Sequence, residues 1–425
     1  MKRLLAIVGM SLLVLSASQA SILTNSNQSA EYLRMLSRNA STEIDAVYFN
    51  PAGLTQLADG FHLAVNNQSI FQKKTIILDP LYPFQTGDGT YVGDVKAPVF
   101  PSAFIAYKTG KLALSFGFGP NAGGGSADYA DGLPSFDALF SLVTILYDVF
   151  TWPVNEYSVD ISFKGTSVFF GYQVNASYAV TDWLSAAVGA RLLTCTNTYE
   201  GSVRNYLLNL WIFGWQPTGV ELDVEAKEKG TAFTPILSLN FKPMEAMNVS
   251  LRYEFQTKVE LTTETTVDDL GMFPDGSKVR SDLPAILSAG VGYAIMPGLR
   301  AMLSFNYWFD KTMDWDGDPE DTANVLNLDG NSWDLGVGIE YDLSESFLIS
   351  AGYLHTQISP GDAYQTDMRH ELPADTVAAG GRFKLSENFY FNFGGAYSIY
   401  QEQSVTPLTF QRSNFGFTVG FGAHL

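Results

Sequence analysis

The 425-residue chain carries 25 Lys and Arg against 44 Asp and Glu, a formal net charge of −19. That balance excludes a nucleic-acid binder, which needs clustered cations. Hydrophobic residues make up 46% and charged residues only 16%, yet beyond the first residues no apolar run reaches the roughly 18 residues of a helical membrane span. The single cysteine, Cys195, rules out an intramolecular disulfide.

The chain opens with Lys2 and Arg3, an apolar stretch from Leu4 to Leu15, and Ser18-Gln19-Ala20 with small residues at the −3 and −1 positions. This pattern predicts a signal peptide over 1–20, cleaved after Ala20, and hence export. Residues 21–59 differ from the rest: rich in Ser, Asn and Ala, without alternation, and ending in Asn50-Pro51-Ala52-Gly53-Leu54. They read as a small segment outside the wall of the main domain, which spans 60–425.

From Phe61 onward a period of two takes over. Val249, Leu251, Tyr253 and Phe255 alternate with Ser250, Arg252, Glu254 and Gln256. The pattern recurs over 283–295, 299–309, 333–341 and 415–425. In a strand the two sets face opposite sides, and charge at every second position requires that one face be wet. Short turns near Thr109-Gly110, Thr181-Asp182, Pro243-Met244-Glu245, Met296-Pro297-Gly298, Ser344-Glu345-Ser346 and Ser386-Glu387-Asn388 alternate with long connections near 79–97, 124–157, 199–218, 263–281, 314–331, 359–373 and 403–412. Short turns on one side and long loops on the other are the habit of outer-membrane barrels. The expected fold is therefore all-β: a transmembrane antiparallel β-barrel of about 14 strands, with short helices in the outer loops.

Two outer loops are apolar. Phe136, Leu139, Phe140, Val143, Leu146 and Phe150 recur at near-helical spacing. Leu207, Leu210, Trp211 and Phe213 form a second apolar piece. These residues either pack on each other as a cover or form an outer groove for apolar ligands. Strand three meets Gly119-Pro120-Asn121-Ala122-Gly123. Pro removes a ladder donor and Gly packs nothing, so Gly119, Pro120 and Gly123 mark either a kink in the wall or the end of the strand.

The segment Ala40 to Leu54, with Asn50, Pro51 and Ala52 before Gly53-Leu54, resembles the N-terminal hatch of FadL-type outer-membrane transporters of long-chain fatty acids and hydrophobic compounds. Val99 to Phe104, Asp282-Leu283-Pro284, and Gly338 to Asp342 with Ser350 to Tyr353 are similar to later family segments. Leu425 departs from the usual terminal Phe. The resemblance implies that residues 21–59 plug the barrel as a hatch. It also implies a route: capture at an outer groove, binding in the lumen, a hatch shift, and lateral exit through a kinked third strand.

A fatty acid needs a cation for its carboxylate. Arg191 and Arg252 fall on lumen-facing phases, and Arg382 is a third candidate, because the planar fork of Arg pairs carboxylates bidentately. Each could instead pair with a nearby acid such as Glu254. Phe163 and Phe169 are candidate lumen aromatics. Fatty acid and aromatic hydrocarbon both remain open as ligands.

The run Asp314 to Asp321 fails the calcium-loop pattern at Pro319 and Val325 and reads as a solvated acidic loop. With four His and no marked nucleophile, no enzyme is expected, and no metal or cofactor. Expected partners are the hydrophobic ligand, outer-membrane lipid and lipopolysaccharide, and the barrel assembly machinery, with the chain a monomer. The competing readings are an open, water-filled porin and a surface adhesin or receptor.

Overall fold

The computed structural model describes residues 25–313 and 328–425. The expected signal peptide and the acidic run 314–321 lie outside the described residues.

Eighteen strand segments form one antiparallel sheet that closes on itself, because the first segment pairs with both the second and the last. They are β1 (Gly60–Leu78), β2 (Thr90–Thr109), β3 (Leu112–Tyr129), β4 (Val154–Ala179), β5 (Leu184–Leu210), β6 (Gly214–Pro217), β7 (Leu222–Met244), β8 (Met247–Glu254) and β9 (Glu260–Asp268). They continue as β10 (Lys278–Arg280), β11 (Ile286–Met296), β12 (Leu299–Trp308), β13 (Trp333–Asp342), β14 (Phe347–Gln357), β15 (Ala374–Lys384), β16 (Phe389–Tyr400), β17 (Gln403–Val405) and β18 (Leu408–His424). β8 and β9 are one interrupted stave, as are β10 and β11, and β6 and β17 are short additions in outer loops. The wall therefore has 14 staves.

The period of two places side chains as the alternation requires. Phe61, Val65, Leu114, Val188, Leu251 and Val337 are exposed. Their neighbours Asn66, Ser115, Arg191, Ser250, Arg252 and Asp334 are buried toward the lumen. An outward apolar belt around a polar interior defines a transmembrane barrel.

Several strands outrun the expected loops. β4 has 26 residues and β5 27. On β5 the outward residues change from Val188 and Leu192 to Thr194, Thr196 and Thr198, so the ladder continues above the lipid with a polar face. Residues 203–210 are consequently strand, not part of the long outer connection expected near 199–218. Among the described loop residues the one long helix is α3 (Pro134–Phe150), preceded in the chain by the short α1 (Ala30–Leu33) and α2 (Ala46–Phe49).

Residues 25–56 lie inside the barrel, threaded through α1, α2 and a 3-10 turn over Pro51–Gln56. Residues 28–41 and 44–54 are buried. They rest on lumen-facing glycines of successive strands. A Cβ on Gly290 would fall 2.5 Å from Ala40 N, and one on Gly336 or Gly352 would overlap the carbonyl oxygens of Leu36 and Met35. Only a residue without a side chain lets two backbones approach this closely. Replacing Gly352 by Val should therefore unseat the plug while the outer belt still assembles. Planar-bilayer recording should show larger steady conductance than the parent protein, and unchanged conductance would mean the close backbone contact does not hold the plug.

Candidate ligand cavity and wall window

Polar contacts complete the seating of the plug. Asn50 donates to Asn240 Oδ1 (2.7 Å) and to Ser41 O (2.9 Å). Ser177 donates to Pro51 O (2.7 Å), and the N–H of Ala52 donates to Ser238 Oγ (3.3 Å). The Asn50-Pro51-Ala52 motif thus ties the end of the plug to β4 and β7. Gln173 and Asn175 both donate to Val47 O.

The three arginines singled out by the sequence all face the lumen, and all have acidic partners. Arg191 pairs with Glu254 (2.6 Å) and also donates to Gln173. Arg252 reaches Glu254 (3.2 Å) and donates to Tyr48 O. Both guanidinium groups lie over the Tyr48 ring. Arg382 pairs with Glu43 (2.5 Å). The plug adds Arg34 against Glu340 (2.6 Å) and Arg38 against Asp45 (2.7 Å). The three wall arginines therefore serve wall-to-wall and wall-to-plug pairing, which uses the fork geometry that made them headgroup candidates. Burial alone would raise the Glu43 carboxyl, but Arg382 and Arg38 beside it hold it well below the usual carboxylate range.

Above the plug lies a cavity of about 410 Å³, within the usual size of ligand pockets. Phe163, Leu33, Leu36, Phe100, Leu133 and Met368 supply apolar lining. Lys74, Arg369, His370, Glu371 and Arg412 gather at one side of the same space. Arg412 pairs with Glu371 (2.7 Å) but leaves its Nε without a partner. Lys74 has no carboxylate within 4.0 Å among the described residues. Burial and the cations Lys74 and Arg412 hold His370, which lies in the outer loop, well below its ordinary value, so it stays neutral. Phe169 does not line this cavity. It packs with Ala122, Leu193, Cys195, Ala232 and Leu261 in a separate dry cluster.

The wall beside the cavity is broken. β2 and β3 pair from Thr109↔Leu112 to Ala103↔Phe118, then resume only at Lys96↔Ser126. The unpaired stretch of β3 holds Gly119, Pro120 and Gly123. Gly123 adopts φ +70°, and a Cβ there would overlap Ser167 O. β3 keeps its partner β4 through two register shifts at this level. The opposite lip on β2 carries Pro98 and Pro101, which cannot donate to a ladder. Seven residues, Leu112 to Phe118, precede the break. At a rise of about 3.3 Å and a tilt near 40° they climb roughly 18 Å of a belt about 25 Å tall. The break therefore sits in the outer part of the membrane.

The freed backbone groups are not left orphaned. Asn25 Nδ2 donates to Gly123 O (2.6 Å), Asn25 N to Asn121 O (2.8 Å), and Gln28 Nε2 to Pro120 O (2.6 Å). On the β2 lip, Ser69 and Asn67 donate to Pro98 O, and Phe100 N donates to Asn67 Oδ1. The first described residues of the plug thus clasp the window, and Gly123 and Gly125 line the cavity behind it.

The outer apolar residues divide into two groups. Phe136, Leu139, Phe140, Val143 and Leu210 are buried in a core under α3 with Tyr157, Tyr206 and Leu208. Leu146 and Leu207 are half-buried. Phe150 (80% exposed), Trp211 (75%) and Phe213 form an open tip, where Trp152 meets Phe213 edge to face. Sequence reasoning missed Lys74, Arg412, Asn25, Gln28, Pro98 and Pro101. The two prolines three apart inside an alternating run were a readable signal.

A closed 14-stave membrane barrel, plugged by its own N-terminal segment and broken at β2–β3, defines the architecture. No protein-family model and no curated protein sequence matches the chain, but solved structures share its fold. It is similar to a Pseudomonas aeruginosa FadL homologue with a TM-score of 0.69 and 12% identity, over 96% of this chain and 100% of that one. It is similar to the Pseudomonas putida toluene transporter TodX, with a TM-score of 0.62 and 13% identity over 96% and 100% of the two chains. The Ralstonia pickettii toluene transporter TbuX gives a TM-score of 0.58 and 13% identity over 90% and 94%. The fold is thus that of FadL-type barrels.

Arg191 and Glu254 give a direct stability test. Arg191→Met leaves a buried carboxylate facing a weaker set of partners, which costs about 3–5 kcal/mol when such a pair is broken. The urea midpoint of unfolding in detergent should fall clearly, and Arg191→Met with Glu254→Met should recover most of the loss. Equal loss in both variants would show that charge pairing is not what Arg191 contributes.

Proposed function

We propose that this protein is an outer-membrane channel for hydrophobic compounds, taking up long-chain fatty acids or similar amphiphiles. The observation that carries this reading is the amphipathic cavity behind the β2–β3 window, with apolar lining at Leu33, Leu36, Phe100, Leu133 and Phe163 and cations gathered at one side. Lys74, with Arg412 beside it, is the headgroup contact in this reading, and Phe163 and Leu133 flank the tail. Exported residues 21–59 act as the hatch, and the open tip at Phe150, Trp211 and Phe213 collects ligand outside.

In this reading, displacement of Asn25 and Gln28 from the Pro120 and Gly123 carbonyls opens the window. The ligand then leaves sideways into the outer leaflet. The rest of the plug stays seated, because moving it would separate Arg34 from Glu340, a buried plug-to-wall ion pair that costs several kcal/mol to break, and Glu43 from Arg382.

A monoaromatic hydrocarbon is the second reading, supported by the shared fold of two toluene transporters. The cations decide between them, since a hydrocarbon gains nothing from Lys74. Lys74→Ala should weaken binding of a C18 carboxylate by about tenfold, the worth of one charge-assisted hydrogen bond. The corresponding C18 alcohol should bind both proteins alike. Equal carboxylate affinity in the two proteins would remove Lys74 from the headgroup site. Tighter binding of toluene than of the carboxylate would favour the hydrocarbon reading.

A further inference from the structure

The cavity reaches α3 on its outer side. Leu133, at the start of α3, lines it and is fully buried. A small apolar crevice of about 20 Å³ lies at the N-terminal end of α3, bordered by Phe136, Ile161, Phe163, Val203, Leu222 and Val224. Phe163 lines both the crevice and the cavity. The rings of Phe136 and Phe163 meet with centroids 5.6 Å apart, so this contact lies where the two spaces adjoin.

α3 is held by polar contacts set in an otherwise dry core. The Asp137 carboxylate accepts from Tyr91 OH (2.5 Å) and Tyr157 OH (3.1 Å). The Ser135 N–H donates to Asp367 Oδ2 (2.6 Å), which comes from the loop after β14. Ser141 donates to Pro83 O (2.7 Å), and Thr144 shares a hydrogen bond with Tyr206 (2.7 Å). The helix is therefore pinned to β2, β4, β5 and two loops through single side-chain contacts. No cation pairs with Asp137 among the described residues. A buried carboxylate held only by neutral donors is a poor choice for permanent packing, since desolvation of the charge is costly. It suits a contact that is broken and remade.

Resting on the proposed uptake of a hydrophobic ligand, we infer that α3 is a hinged outer lid: the Phe136–Phe163 contact is its gate and Asp137, held by Tyr91 and Tyr157, is its latch. The ligand collected at the exposed tip passes through the crevice into the cavity only when the N-terminal half of α3 lifts. The channel is then closed at two points, by α3 outside and by Asn25 and Gln28 at the window.

Loading rate separates this inference from the reading it rests on. A fluorescent polyene C18 fatty acid is mixed with detergent-purified full-length protein, and both final occupancy and loading rate are recorded. Three variants are compared with the parent: Asp137→Asn, Phe136→Ala, and Phe136→Cys with Phe163→Cys in a Cys195→Ser background. In the last, the pair is joined by oxidation or by a short bis-maleimide, with joining verified by mass. Asp137→Asn and Phe136→Ala should load about tenfold faster, the effect of losing one charge-assisted hydrogen bond or one gate ring from the closed state. The joined protein should load at least tenfold slower than the parent, and once a disulfide is reduced it should load as fast as Phe136→Ala, because both gate rings are gone. Final occupancy should match the parent in Asp137→Asn and Phe136→Ala, and should be the same before and after release of the joined pair in the cysteine variant. Loading rates within twofold of the parent in the joined protein would overturn the lid, as would unchanged rates in both single variants. Absence of any saturable occupancy in the parent would instead refute the uptake reading itself.

Discussion

The structure depends on one constraint: a barrel of 14 staves encloses more space than its own side chains fill, and whatever fills it must satisfy a polar inner wall. Alternation gives the belt its apolar outer face and leaves Asn, Ser, Arg and Glu pointing inward. Residues 25–56 meet those groups with backbone carbonyls and with charges of their own. Glycines on β11, β13 and β14 let the plug backbone lie directly against the wall, and the arginines and acids lock its position. An unobstructed bore is thereby excluded, and with it the open porin considered from the sequence.

The same constraint explains where the barrel is irregular. A regular ladder has no exit through its wall. Pro98 and Pro101 on β2 and Pro120 on β3 remove donors on both lips at one level, and Gly123 turns the chain away in a left-handed conformation. Buried carbonyls released in this way need donors. Asn25 and Gln28 of the plug supply them from inside, and Asn67 and Ser69 from β1. The window and the plug are therefore a single polar arrangement, in which freeing one end exposes the other.

Much of this was legible in the sequence because a period of two needs no tertiary information. The strand count, the six short turns and the lumen phase of Arg191 and Arg252 follow from alternation alone. The Asn50-Pro51-Ala52 segment pointed to the plug. What alternation could not show was partnership. Arg191 faces the lumen as expected, but Glu254 and Gln173 reach it only after the sheet closes. Lys74 sits near the end of β1, where the pattern fades into loop, and nothing local distinguishes it from Lys73 beside it. Residues 203–210 read as a loop piece because the ladder rises past the membrane, where lipid no longer enforces an apolar outer face. In α3 the helical spacing was correct, but Phe136 and Phe140 proved to be core and Phe150 surface, a division set by what packs beneath.

The central claim is that an amphiphile resides in the cavity between α3, the plug and the β2–β3 window. Photo-crosslinking tests it most directly. A C18 fatty acid carrying a diazirine near its tail is bound to the purified protein, irradiated, and the labelled peptides are read by mass spectrometry. The account predicts labels on β1 near Lys74, on β3 between Gly119 and Tyr129, and around Phe163, all competed by unlabelled fatty acid. Labels confined to the outward belt, or labels at these sites that unlabelled fatty acid does not compete, would contradict it.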